Sequence, residues 1–165
     1  MSDPGTSRQG SRGLYIAVAV LGVVVIGIVV YFWSGSSEGE RIAGLDTLTW
    51  TRDVPTASFS KDGGIISVTT GTGKTDYQLE ASPKVPAGTV VIDYKVRVTD
   101  GSIMIGVLSA DRQKFVITEP IPAPGTYEKS FSVTTQEGGT LLLANNRPTD
   151  GVSHFTIEKL DLYKH

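Results

Sequence analysis

Residues 89–99, TVVIDYKVRVT, alternate with a period of two. Val90, Ile92, Tyr94, Val96 and Val98 fall on one side, and Val91, Asp93, Lys95 and Arg97 on the other. Successive strand side chains point to opposite faces, so the first set is expected in a core and the second in water. Similar short runs recur near 47–52, 57–60, 64–70, 76–80, 102–109, 114–118, 126–134, 139–144 and 153–163. Clusters of Gly, Pro, Asn and Asp separate them, and no 3.6-residue period intervenes. Asp100-Gly101 predicts a tight hairpin turn. Ile103, Ile105 and Val107 face one side and Met104 and Leu108 the other, with Gly106 between, which predicts a strand inside its sheet. Phe155 and Ile157 are out of phase with Leu160 and Leu162, so a bulge is expected near Glu158-Lys159. The prolines of EPIPAPG, residues 119–125, predict an extended loop without ladder hydrogen bonds. The sum is an all-β antiparallel sandwich over residues 45–165.

A different pattern precedes it. Residues 14–33, LYIAVAVLGVVVIGIVVYFW, contain no charged or strongly polar side chain. As a helix they would span about 30 Å, the thickness of a bilayer's hydrocarbon core. Tyr15 at one end and Tyr31, Phe32 and Trp33 at the other fit the aromatic belts of a membrane interface. The run is longer than the core of a cleaved signal peptide and ends in bulky aromatics, so a retained transmembrane anchor is expected. Arg8 and Arg12 precede it, whereas Glu38, Glu40 and a single Arg41 follow. That bias predicts a cytoplasmic tail at 1–13, a helix at 14–33, a flexible linker at 34–44 and an extracytoplasmic, periplasmic-side sandwich at 45–165. Gly22 and Gly27 are where a neighbouring helix could approach closely.

Within the sandwich region one order of signals carries a resemblance. Asp76-Tyr77-Gln78-Leu79 is followed by Val85-Pro86-Ala87-Gly88, the long alternating strand, and Gly101 to Leu108. The Pro124-Gly125 turn and the closing Phe155–Leu162 run complete it. This succession resembles the jelly-roll sandwiches of galactose-binding-like domains and carbohydrate-binding modules. The resemblance implies that fold and makes a glycan a candidate ligand, held by aromatic side chains and polar loops.

Composition narrows the chemistry. Fifteen Lys and Arg against seventeen Asp and Glu give a net charge of −2, without the basic excess of a nucleic-acid binder. There is no cysteine, hence no thiolate metal site or cysteine nucleophile. TTGTGKT, residues 69–75, ends like a phosphate-binding loop, but Val68 stands where the motif needs its first glycine. Such a loop must also open a helix, whereas Asp76-Tyr77-Gln78-Leu79 reads as a strand. A glycine-rich hairpin loop is expected, and no nucleotide. Ser153, His154 and Asp150 are too close in sequence to assemble a triad, and two histidines are too few for a zinc centre. No enzyme activity is expected, nor a cofactor. Asp46, Asp53, Asp150 and Asp161 are candidate ligands for a structural calcium ion, although their spacing matches no defined calcium loop.

Candidate contacts with a ligand or partner are Trp50, a tryptophan flanked by Thr49 and Thr51, and Asn145, Asn146 and Arg147 in the polar loop NNRPTDG. Trp50 reads more readily as core than as platform. Two functions remain. The first is a non-catalytic single-pass accessory subunit docking on a larger membrane protein complex, with respiratory and photosynthetic assemblies as the analogy. The alternative is a membrane-anchored module that binds a glycan or another envelope ligand.

Overall fold

The computed structural model describes residues 39–72, 77–147 and 149–165. The expected tail, the helix with Tyr15, Gly22, Gly27, Tyr31, Phe32 and Trp33, the start of the linker, and Lys74-Thr75 lie outside them. Among the described residues no helix is long and apolar enough to cross a membrane.

Eleven strands make up the described residues: β1 Glu40–Gly44, β2 Thr49–Arg52, β3 Ser58–Asp62, β4 Ile65–Thr69, β5 Tyr77–Ser82, β6 Gly88–Asp100, β7 Ile103–Ser109, β8 Phe115–Ile121, β9 Gly125–Thr135, β10 Gly139–Asn145 and β11 His154–Lys164. They form two antiparallel sheets. One runs β3-β4-β11-β6-β9, with β1 also on β11; the other runs β2-β5-β10-β7-β8. Strand β11 is the hinge of the larger sheet. Strand β6 pairs along one edge of it, while β4 takes His154–Ile157 and β1 takes Asp161–Lys164 on the other. The core lies between the sheets. Val90, Ile92, Tyr94, Val96 and Val98 of β6 are all buried, as the alternation requires, against Leu79, Ile103, Ile105, Val107, Leu141 and Leu143 of the smaller sheet.

The expected bulge is present: the β11–β6 register shifts between Ile157 and Lys159, which brings Leu160 and Leu162 back into the core. Strand β7 lies between β10 and β8, inside its sheet. Five expectations need correction. Glu40–Gly44, assigned to the linker, is a strand because its backbone completes the free edge of β11. EPIPAPG is not all loop. Glu119, Pro120 and Ile121 pair with Ile105, Met104 and Ile103, and Pro120 is tolerated because β8 is an edge strand. Asp100-Gly101 does turn tightly, with φ +79° at Gly101, but it carries the chain from one sheet to the other rather than closing a hairpin. The stretch after Thr69 likewise crosses between sheets, since β4 and β5 are not partners. Finally, Asp93 is buried rather than exposed: Ser130 Oγ donates to it at 2.6 Å and Lys159 Nζ lies 3.4 Å away, which compensates its charge.

Candidate functional site

The candidate contact residues that the structure describes, Trp50, Asn145, Asn146 and Arg147, are tied into the fold. Trp50 faces inward at the edge of the smaller sheet and packs against the core, with its indole nitrogen buried. Asn145 is fully buried. Its amide donates to the Gly151 carbonyl at 2.8 Å, and Ser153 Oγ lies 2.8 Å from its Oδ1. The Asn146 amide donates to the Ser102 carbonyl at 3.0 Å, and its own carbonyl accepts from the Ser102 hydroxyl. Arg147 donates to the Val152 carbonyl and lies 3.6 Å from Asp100. The polar loop is therefore a bolt on the end of the sandwich. None of these side chains forms a platform for a ligand.

The calcium candidates are not brought together. Asp46 and Asp161 both pair with Arg41, whose guanidinium holds the Asp46 carboxyl below its ordinary range. Among the described residues no three carboxylate or imidazole groups converge as a metal would require. Ser153 is buried whereas His154 is exposed, so these neighbours look to opposite sides and form no catalytic unit.

The outer faces of the two sheets differ in chemistry. On the larger sheet a shallow hollow of about 460 Å³ is lined by hydroxyls, among them Ser58, Ser60, Ser67, Thr69, Thr99 and Thr156. Phe59 and Phe155 contribute to it but are turned to the core. The exposed His154 ring also lines it, 3.1 Å from the Thr69 hydroxyl through Nδ1, so the hollow is mainly a hydrogen-bonding surface.

The smaller sheet carries rings. Alternation in YQLEA would send Tyr77 inward with Leu79 and Ala81. The β5–β10 register, however, shifts so that Leu143 faces Leu79 while Ala144 faces Tyr77, leaving Gln78 as the extra residue. Gln78 is buried and accepts from the Gly71 amide at 2.6 Å, and its own carbonyl accepts from the Asp53 amide at 3.0 Å. These bonds hold the bulge, which turns Tyr77 outward. Phe115, at the start of β8, lies over Gly106, where any Cβ would come within 2.6 Å of its ring. The two rings meet edge to face, 5.4 Å apart at 88°. Both are partly exposed.

Beside them Arg112 reaches Glu80 with both terminal nitrogens, one at 2.9 Å. The loop after β7 makes this reach possible. Ser109 and Lys114 close it, the Asp111 carboxylate accepts from the Gln113 amide at 3.1 Å, and Arg112 adopts φ +62°. Asp111 is held below the ordinary carboxylate range, chiefly by the Ser109 hydroxyl. Arg112 is raised above its ordinary value by Glu80 first, then by weaker contributions from Asp53 and Tyr77. Beneath rings and ion pair, Ala144, Leu142 and Leu108 point away from the main core and are still buried. The outer face is thus a small second apolar layer roofed by Tyr77, Phe115, Glu80 and Arg112. The sequence held one signal for it, the glycine at 106 in an apolar strand.

No protein-family model matches the chain, and no curated protein matches it in sequence. Solved structures do match in fold. PfGH50B superposes with a TM-score of 0.55 at 8% identity, over 77% of this chain but only 24% of that one. CBM4 superposes with a TM-score of 0.51 at 10% identity, over 81% of this chain and 96% of its own. A variant of CBM29-2, a family 29 carbohydrate-binding module, gives 0.49 at 15% identity, over 70% and 81%. The expected likeness to carbohydrate-binding modules holds at the level of the fold.

Proposed function

We propose that this chain is a non-catalytic, membrane-anchored glycan-binding module, with the outer face of the smaller sheet as its binding surface. The observation that carries this reading is the bulge at Gln78, which places Tyr77 outward beside Phe115. Sugars present apolar C–H faces between their hydroxyls, and partly exposed aromatic rings supply the matching surface. The Glu80–Arg112 pair next to the rings supplies acceptors and donors for the hydroxyls. The fold is one that carbohydrate-binding modules share, which adds support. The anchor at 14–33 would hold the module at the outer membrane face, where envelope or extracellular polysaccharide is encountered. The accessory-subunit reading rests on that helix, and the sandwich adds no observation in its favour.

Affinity electrophoresis of the full-length chain in detergent, through gels containing soluble polysaccharides, tests the proposal. Retardation by at least one neutral polysaccharide is expected. Tyr77→Ala and Phe115→Ala should each weaken it about tenfold, the upper range for an aromatic contact. Trp50→Ala should act through stability instead. No retardation by any polysaccharide, or retardation indifferent to both ring substitutions, would overturn the assignment.

A further inference from the structure

The Glu80–Arg112 pair crosses the sheet: Glu80 is on β5, and Arg112 is in the loop between β7 and β8, with β10 and β7 intervening. Glu80 is the lower partner, its side chain 22% exposed against 46% for Arg112. It is fixed in the ladder between Thr51 of β2 and Leu142 of β10. A guanidinium held at the edge of an aromatic platform is well shaped for carboxylate or sulfate, which it can grip with two parallel bonds. Here both terminal nitrogens are already engaged by Glu80. The neighbouring carboxylate of Asp111 accepts from Ser109 and Gln113 through its Oδ1.

We propose that Glu80 determines the class of ligand this face accepts: by occupying the Arg112 fork and cancelling its charge, it restricts the Tyr77–Phe115 platform to uncharged polysaccharide. This inference rests on the proposed function and adds the substrate class to it. An acidic chain laid across the rings finds the Arg112 fork occupied and meets the carboxylate of Glu80. Removing that carboxylate while keeping its shape frees the fork and shifts the preference toward acidic chains.

The test compares the ratio of acidic to neutral affinity in the full-length chain, with polygalacturonate as the acidic probe and soluble β-glucan and galactomannan as neutral probes, at low ionic strength. Wild type is expected to bind a neutral probe and to reject polygalacturonate. Glu80→Gln should raise the acidic-to-neutral ratio roughly fivefold, the effect of one unit charge at contact distance in water. High salt should abolish that gain. Glu80→Gln combined with Arg112→Gln should return the ratio to the wild-type value. Arg112→Gln alone, which does not depend on the Glu80 variant folding, should leave the ratio at or below that of wild type. Wild-type binding of polygalacturonate as tight as that of the neutral probes overturns the inference. So does an unchanged ratio in Glu80→Gln, or a raised ratio in Arg112→Gln, and in each of these cases the glycan-binding function stands. Wild type that binds no probe removes the function and this inference with it.

Discussion

Tyr94 donates its phenolic hydrogen to Glu119 Oε1 at 3.0 Å, joining β6 of the larger sheet to β8 of the smaller one. The ring is buried, packs edge-on against Phe131 with centroids 6.2 Å apart, and has its hydroxyl at the side of the sandwich where Lys129 also approaches Glu119. Burial, and then the Glu119 carboxylate, push the phenol above its ordinary pKa.

The alkaline behaviour of the fold follows from that bond. Below about pH 10 the phenol is neutral in both folded and unfolded chains, and the bond counts in full. As the pH rises past the ordinary tyrosine value the unfolded chain ionises first, so stability falls until the higher folded pKa is passed. Tyr94→Phe should cost about 1–3 kcal/mol at pH 7, as loss of a hydrogen bond to a charged acceptor does. The gap to wild type should narrow above pH 10. Urea unfolding at pH 7 and pH 10.5 measures both; a gap that stays constant would show that Tyr94 does not titrate in this way.

Asn145 gives a test that separates structure from recognition. With Asn145→Ala the Gly151 carbonyl loses its donor, and Ser153 Oγ keeps only Ser102, whose carbonyl is 3.0 Å away and whose amide donates to it at 3.2 Å. Leaving buried polar groups unpaired costs about 1–3 kcal/mol each. Thermal unfolding should therefore shift down, while affinity for a neutral polysaccharide, measured well below the transition, stays within twofold of wild type. Loss of affinity at unchanged stability would return the NNRPTDG loop to the binding surface.

The anchor is tested by topology. Protease added outside intact cells should digest the sandwich and spare an epitope placed within residues 1–13. The membrane fraction should retain the chain after carbonate washing, because about 20 apolar residues hold a helix in the bilayer. A mature chain beginning near residue 36, or a sandwich protected from outside protease, would remove the anchor and its orientation.

The strands were legible because a half-buried strand writes its two faces directly into the alternation of side chains, as in Val90 to Val98. Even the bulge in β11 showed, since Leu160 and Leu162 had to regain the core side. The binding surface was not legible. Tyr77 shares the phase of Leu79 and Ala81, and only the slip at Gln78, held by Gly71 in the preceding loop and by Asp53 after β2, turns it outward. Asp93 looked exposed because its partners Ser130 and Lys159 are 37 and 66 residues away. Strand pairing across sheets misled similarly: Asp-Gly fixes a local backbone shape, not which sheet the next strand joins.

Gly106 is the position where surface and fold can be told apart. A Cβ there would lie 2.6 Å from Phe115 Cε1 and 2.9 Å from Cδ1, too close for any real contact, while its next neighbour, the Ile117 carbonyl, is 3.4 Å away. What must move is therefore the Phe115 ring, which is partly exposed. The backbone at Gly106 needs no left-handed conformation, so alanine is not strained there. It also restricts the unfolded chain, which favours the fold by about 0.4–1 kcal/mol and offsets the ring's displacement. Gly106→Ala should thus change stability by less than about 1 kcal/mol. It should lower affinity for a neutral polysaccharide about three- to tenfold, because Phe115 no longer meets Tyr77 edge to face. Gly101→Ala is the contrast. Its φ of +79° and a Cβ that would run into Ser153 Oγ make it costly to the fold, at a turn that touches Ser153 and Arg147 rather than the rings. Calorimetric titration and thermal melting of both variants decide the matter. Gly106→Ala that binds like wild type would mean the position of Phe115 is irrelevant to the ligand, and the platform would have to be sought elsewhere.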